Sequence, residues 1–290
     1  MNLKHNIINC IEEYLGEKII SNTSVGGGCI ADSKKITTES RRYYFLKVNE
    51  GFPQDMFQKE ANGIKELRGC GVIRVPEVIL ANGDFILMEN IEEAPRQKSF
   101  FEDFGRKFAL LHKHKNIAFG FYEDNYIGST EQKNIPSENQ KVNWVEFFFN
   151  KRLLFQYQLA EKNGYATPEL RKGIVMLEKN IESILSGSEE EPALLHGDLW
   201  GGNYITDDKG EACLIDPAVY YGHREADFAM TKLFGGFSLG FYNSYIEEYP
   251  LLEGWQYREN IYKLYHVLNH LNLFGMSYYG QAVRLMSCYE

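Results

Sequence analysis

The 290-residue chain is short of several things, and each shortage closes off a class of protein. Its five cysteines, Cys10, Cys29, Cys70, Cys213 and Cys288, are odd in number, with no Cys-x-x-Cys pair and no metal-ligand spacing. They read as thiols of a reducing compartment. No stretch approaches the roughly 18 uninterrupted apolar residues of a membrane span. The amino-terminal "MNLKHNIINCIEEYLG" spaces Leu3, Ile7, Ile8, Ile11 and Leu15 as an amphipathic helix broken by charge, without the apolar core of a signal peptide. A cytoplasmic protein with no membrane partner is the expectation. Positive charge is in deficit: 31 Lys and Arg against 40 Asp and Glu leave a formal net charge of −9. That argues against a nucleic-acid partner, which needs a basic face to displace counterions. An anionic ligand would then need local positive charge or a metal. Internal repeats and low-complexity segments are also missing.

What remains is an ordinary globular composition, 44% hydrophobic and 24% charged, long enough to bury the core of one large domain or two lobes. After the first helix, "EKIISNTSV", "GGGCIADSKKITT" and "RRYYFLKV" read as strands of a meander, with "ESRR" at a turn. A helix is predicted over about 53 to 68, where Phe57, Ala61, Ile64 and Leu67 recur on one face and Pro53 falls in the first turn. "PEVIL" and "DFILM" flank the turn "ANGD", and the strand-rich part ends near Met88. From residue 100 onward helices dominate: a stripe of Phe101, Phe104, Phe108 and Leu111, a long apolar-faced stretch from Trp144 to Glu161, and a third helix over 169 to 186. Only two short strands return, "NYIT" and "ACLI", on either side of "DDKG". Residues 123 to 142 read as a mobile polar loop.

Directly after an apolar run the chain reads "LLHGDLWGGNY", Leu194 to Tyr204. Asp and Asn hydrogen-bond loop backbone readily, so a structural turn accounts for the polar residues and for Gly201 and Gly202. It does not account for Asp216, which ends the very next strand. The hairpin between brings Asp198, Asn203 and Asp216 together, and converging hard oxygens suit Mg²⁺, which favours carboxylates and ligand phosphates. Asn203 follows Asp198 by five positions and Asp216 follows by thirteen more, an order that resembles the catalytic and metal-binding loops of the protein-kinase fold.

That fold demands three upstream parts, and all are present: Gly26-Gly27-Gly28 between two strands, Lys47 in "YFLKV", and Glu60. Glu60 falls on the inward face of its helix, where a carboxylate is costly unless paired, and Lys47 is the obvious partner. Singly, each has an ordinary reading as a hairpin turn, a strand-surface lysine or a solvated helix charge. Together and in order they point to an α+β, two-lobed protein-kinase-like fold. The expected lobes are an antiparallel-sheet N-lobe over 1–88, a hinge at 89–92, and a mainly helical C-lobe over 93–290.

More specific stretches run along the chain: "GGGCI", "FLKVN", "MFQKEA", "RVPEVI", "FFFNKRLLFQYQLA", "ALLHGDLWGGN", "IDPAVYYGHREADFAM", "LFGGF" and "NHLNLFG". With these the sequence resembles the fructosamine kinase, or ketosamine kinase, family, distant relatives of aminoglycoside and choline kinases. The resemblance implies ATP- and Mg²⁺-dependent phosphorylation of the 3-hydroxyl of a ketosamine, the sugar adduct left on an amine or lysine by glycation. The phosphate destabilises the adduct, so the outcome is deglycation. Carried over position by position, Asp198 is the base or orienter of the attacking hydroxyl, and Asn203 and Asp216 hold Mg²⁺ between the phosphates. Lys47, positioned by Glu60, contacts the α- and β-phosphates, and the backbone of Glu89 to Ile91 takes adenine. Asp216 is followed by Pro217-Ala218, and no activation segment or Ala-Pro-Glu motif follows, which disfavours a loop-regulated protein kinase. A kinase of another small hydroxyl substrate, such as an aminoglycoside or amino alcohol, and a catalytically dead nucleotide-binding protein are the alternatives.

Around this constellation, Trp200 can stack on a sugar or serve as a core residue. His196 is expected to hydrogen-bond loop backbone, and Asp227 to anchor the catalytic loop from a helix start. Glu225 is placed to bind the cationic amine of a ketosamine or to be a solvated surface charge. His270 is grouped with it as substrate-binding, while His223 is given no role. Cys29, beside the glycine turn, is an inert strand residue or an oxidation-sensitive thiol capable of an intermolecular disulfide, giving a monomer or a redox-dependent dimer.

Overall fold

A computed structural model of the chain describes residues 3–26 and 32–290. The first helix, α1 (His5–Leu15), buries Ile7 and Ile11 and ends where Gly16 turns left-handed at φ 69°. Behind it run β1 (Ile19–Ser24), β2 (Asp32–Thr38) and β3 (Tyr43–Val48), then α2 (Met56–Cys70), β4 (Val78–Ala81) and β5 (Phe85–Glu89). The strands form one antiparallel sheet in the order β1-β2-β3-β5-β4. Alternation sorts its two faces. Tyr44, Leu46, Val48, Phe85 and Leu87 pack with α1 in one cluster, whereas Ile86 and Met88 join Phe57, Ala61, Ile64 and Leu67 of α2 in the main core. The predicted apolar face of α2 is therefore the buried one. Its start lies later than expected: Pro53 sits in the preceding turn, its carbonyl accepting the Met56 amide at 3.1 Å.

The remaining chain is mainly helical. In order come α3 (Phe100–Leu111), the hairpin β6 (Asn125–Ile127) and β7 (Thr130–Gln132), α4 (Trp144–Phe148), a π-helical segment (Phe149–Leu154), α5 (Phe155–Lys162) and α6 (Pro168–Leu185). Then follow β8 (Ala193–Leu195), β9 (Tyr204–Thr206), β10 (Ala212–Leu214), β11 (Tyr220–Gly222), α7 (Arg224–Met230), α8 (Leu239–Glu248), α9 (Trp255–Phe274) and α10 (Tyr279–Ser287). The expected hairpin around "DDKG" is β9 paired with β10. Four short strands escaped the sequence reading: β6, which pairs with β7, and β8, which pairs with β11. No helix among the described residues is long and apolar enough to cross a membrane.

The stretch 123–142 corrects an expectation, since it is structured. Asn125, Gln132 and Asn134 are buried and interlock: the Asn125 carboxamide oxygen accepts from Gln132 Nε2 at 2.9 Å and from Asn134 Nδ2 at 2.8 Å. Their other bonds reach the segment after Asp216, with Gln132 Nε2 donating to Ala218 O (2.9 Å) and Asn125 Nδ2 to Val219 O (2.8 Å). The polar composition that suggested a loop is a buried amide network, each member satisfied as burial requires.

Helix α2 is fixed to this same region. Asn62 Nδ2 donates to Glu123 at 2.8 Å, the Tyr221 hydroxyl donates to Glu66 at 2.7 Å, and Val219 fills the space above Gly63. Elsewhere α3 and α8 approach even more closely: a Cβ on Gly105 would fall 2.1 Å from the Phe241 carbonyl oxygen. Gly105→Ala is accordingly expected to cost about 3 kcal/mol or more of stability in urea unfolding, because the obstructing atom is backbone. Gly69→Ala, on an exposed turn of α2 with nothing within 4 Å of the added carbon, is expected to gain roughly 0.5–1 kcal/mol in the same measurement.

Candidate active site

The loop leaving β8 is held from both sides. Gly197 has φ 83°, and a Cβ there would lie 1.9 Å from Ala218 O, so neither conformation nor space admits a side chain. The His196 amide donates to Asp227 Oδ2 at 2.6 Å and the Gly197 amide to Asp227 Oδ1 at 2.8 Å. Burial works against the Asp227 charge, but the bond from His112 and those from the amides hold its pKa below the usual carboxylate value. His196 bonds backbone on both ring nitrogens: Nε2 donates to Ile215 O (3.0 Å) and Nδ1 accepts the Asp198 amide (3.3 Å). Burial pushes its pKa down, which suits the neutral tautomer that these two bonds require. Both residues sit where the sequence expectation placed them, although Asp227 lies within α7, whose N-cap is His223.

Past the loop, Asn203 Nδ2 donates to the Asp198 carbonyl at 2.8 Å and to its Oδ2 at 3.0 Å. The hairpin β9–β10 then returns the chain, the Ile215 amide bonding to Asn203 O at 3.1 Å, so that Asp216 lands beside Asp198. Asp216 adopts the left-handed region at φ 53°, a conformation Asp tolerates better than most residues. From the sheet, Lys47 reaches both halves: its Nζ lies 2.7 Å from Glu60 Oε1 and 2.5 Å from Asp216 Oδ1. Burial opposes the ammonium, yet the two carboxylates hold its pKa above the ordinary lysine value. Glu60 is pushed up by burial, with Lys47 pulling the other way. Burial, and then the charges of Asp216 and Asp227, raise Asp198 well above its normal range.

One ammonium is thus shared by two carboxylates, with Asp198 close by, a surplus of negative charge that a divalent cation offsets. Among the described residues no group of three or more His, Cys, Asp or Glu is arranged to hold a metal. The available protein donors are Asp216 and the Asn203 carboxamide oxygen, two hard oxygens that leave most of an octahedral shell to phosphate and water. That donor set fits a hard divalent cation bound together with a nucleotide, the way such ions are usually held in phosphoryl-transfer sites.

Trp200 and His270 belong to one aromatic wall, joined by a residue the sequence reading did not single out. The Trp200 ring lies across Gly202, where a Cβ would come within 2.5 Å of it, and its edge meets Phe234 at 5.9 Å between centroids. Phe234, left-handed at φ 57°, lies 4.7 Å from the His270 ring, which also packs on Tyr278 and Phe274. The signal for Phe234 was the "LFGGF" stretch, whose following glycines also take positive φ.

Glu225 does not join this wall, and its expected role is corrected. It is buried and doubly bonded to Arg258, whose Nη2 and Nε reach its two oxygens at 2.6 and 2.8 Å. A buried carboxylate needs such a partner, and it is available neither to an amine nor to solvent. His223 is likewise buried, donating from Nε2 to Ser188 O. Gly26 sits at an exposed bend after β1, while Gly27, Gly28 and Cys29 lie outside the described residues. At the end of β5 the Glu89 carboxylate is tied to Arg74 at 2.7 Å, and the Ile91 amide makes no hydrogen bond to another described residue.

Comparison with known proteins agrees with this geometry. The fructosamine kinase family profile matches residues 3–289. A chloroplastic protein-ribulosamine 3-kinase of Oryza sativa subsp. japonica is 39% identical over 286 residues, covering 96% of this chain and 81% of the relative. A crystal structure from Thermobifida fusca YX-ER1, assigned as a fructosamine-3-kinase, superposes with a TM-score of 0.87 at 30% identity, covering 99% of both chains. The choline kinase LicA of Streptococcus pneumoniae shares the fold alone, with a TM-score of 0.66 at 16% identity over 97% of this chain and 98% of that one. The chain belongs to the fructosamine kinase family.

Proposed function

We propose that this protein transfers the γ-phosphoryl group of ATP to the 3-hydroxyl of a ketosamine, with Mg²⁺ as the divalent ion. The observation that carries the reading is the meeting of Lys47, Glu60 and Asp216 at one ammonium, beside Asp198 and Asn203. These five residues span the sheet, α2 and the helical part, and no structural need of the fold requires all of them at one point.

When bound, the magnesium ion neutralises the charge that develops on the β- and γ-phosphates. Asn203 and Asp216 are the residues that would hold it. Lys47 keeps its Glu60 contact and turns its remaining donors to the α- and β-phosphates. Asp198 orients the hydroxyl: its Oδ1, not used by Asn203, accepts the proton of the attacking oxygen as the new bond to phosphorus forms and the bond to the β-phosphate oxygen breaks. The transition state is loose, so aim and charge neutralisation matter more than proton abstraction. Adenine would lie against the backbone of Glu89 to Ile91, where the Ile91 amide has no partner among the described residues, and Gly26 to Gly28 would cover the phosphates. Trp200 and His270 offer flat apolar faces to the sugar. A cytoplasmic, reducing setting belongs to the same proposal; Cys10, Cys70, Cys213 and Cys288 are unpaired thiols.

A direct test is ATP-coupled turnover over a panel of glycated lysines, aminoglycosides and choline, with phosphorus NMR of the product. A 3-phosphorylated ketosamine is expected, and turnover of only the latter two would overturn the reading. Asp216→Asn should lower kcat by about 10²–10³-fold in a chain that stays folded, because Asn also tolerates the left-handed backbone and Glu60 still neutralises Lys47. Trp200→Ala is expected to raise the ketosamine KM about tenfold, or ~1.4 kcal/mol, while the KM for ATP stays constant.

A further inference from the structure

Asp198 is held at only one of its carboxylate oxygens: Oδ2 accepts from Asn203, and no hydrogen bond from a described residue reaches Oδ1. Behind it stands His266, on the buried face of α9 and only 2% exposed. Its Nδ1 lies 3.8 Å from Asp198 Oδ1, beyond hydrogen-bond reach. This nitrogen is one of two buried side-chain atoms among the described residues with no hydrogen-bond partner. Buried polar atoms in folded proteins are rarely left so, and each exception calls for an explanation.

The surroundings offer few partners. His270, one turn on, spends its own Nδ1 on the His266 carbonyl at 2.8 Å, and the Tyr265 ring packs alongside at 4.9 Å between centroids. The Tyr265 hydroxyl donates away from the ring, to Gln132 Oε1. Burial, with His270 and Arg152 adding to it, pushes the His266 pKa down to about 3, so the ring is a neutral imidazole carrying a single N–H. Asp198 Oδ1 is the acceptor standing opposite the orphaned nitrogen.

We propose that His266 is a positioning residue for phosphoryl transfer, its Nδ1–H donating to Asp198 Oδ1 once nucleotide and acceptor close the site. Catalytic hydrogen bonds are often long in the free enzyme and tighten in the substrate complex. Held by Asn203 at one oxygen and by His266 at the other, the carboxylate has one rotamer left, with a second lone pair of Oδ1 turned to the acceptor hydroxyl. The inference rests on the reading of Asp198 as the residue that orients that hydroxyl.

The test compares two nearly isosteric variants, His266→Asn, which keeps a donor, and His266→Leu, which does not. Both are assayed with ε-fructosyl-lysine and Mg-ATP. His266→Leu should lower kcat by about 10–100-fold, as loss of a supporting hydrogen bond typically does, with the KM for ATP and the Mg-ATP thermal shift unchanged. His266→Asn should recover most of that loss. On an Asp198→Asn background, His266→Leu should add nothing further. Wild-type kcat in His266→Leu, an Asn variant no better than the Leu variant, or fully additive losses would each overturn the proposal while leaving an inactive Asp198→Asn to support the role of Asp198. Wild-type turnover by Asp198→Asn would overturn that role and this inference with it. Should His266→Leu fail to fold, His266→Gln against His266→Met poses the same comparison.

Discussion

A buried ammonium shared by two carboxylates organises this molecule. Lys47 projects from β3 toward Glu60 of α2 and toward Asp216, 169 positions away in the chain. Taking these charges out of water is unfavourable, and the mutual attraction of such a group recovers the cost only when geometry is good. Stability alone would be served as well by apolar residues of similar size. What the arrangement provides is register: it fixes where the sheet, α2 and the end of β10 stand relative to one another.

The surrounding structure makes that register hold. Asp227 lies beneath the loop that follows β8 and accepts two consecutive amides, and its own charge is maintained against burial by His112. Behind Asp216, the carbonyls of Ala218 and Val219 are taken by Gln132 and Asn125, and Arg152 donates to Asn134 Oδ1 in the same network while its guanidinium covers the Tyr220 ring. Polar groups that would penalise a core individually are bonded to one another here, Arg152 Nε being the exception, so the network rigidifies the loops it touches.

Much of this was legible from local pattern. The spacing of Phe57, Ala61, Ile64 and Leu67 marked the buried face of α2, and Glu60 on the same helix implied its lysine. Asp198, Asn203 and Asp216 could be joined because a single hairpin separates them. What escaped has a common physical cause. Glu225 finds its neutralising Arg258 33 positions away, on a helix whose packing no short-range spacing reveals. Asn125, Gln132 and Asn134 have the composition of a loop, because a buried amide network and a solvated loop use the same residues. Strands β8 and β11 are three residues each and buried throughout, so they lack the alternation that betrays a strand. His266 was invisible for a related reason: a histidine one turn before another on a helix says nothing about which carboxylate it will face.

The absence of an activation segment gains meaning from these contacts. In protein kinases, movement of the helix bearing the glutamate and of the segment after the metal-binding aspartate switches the enzyme on. Here α2 is tied to the helical part by Asn62, Glu66 and the contact of Val219 above Gly63, and the Lys47–Glu60 pair is already formed. The segment after Asp216 opens with Pro217-Ala218, and backbone hydrogen bonds from Gly120 to Tyr221 in both directions stitch its far end into the fold. Both elements that would have to move are therefore held by several independent bonds, those of α2 partly buried. The Lys47–Glu60 pair, which in protein kinases depends on such movement, stands formed here without it.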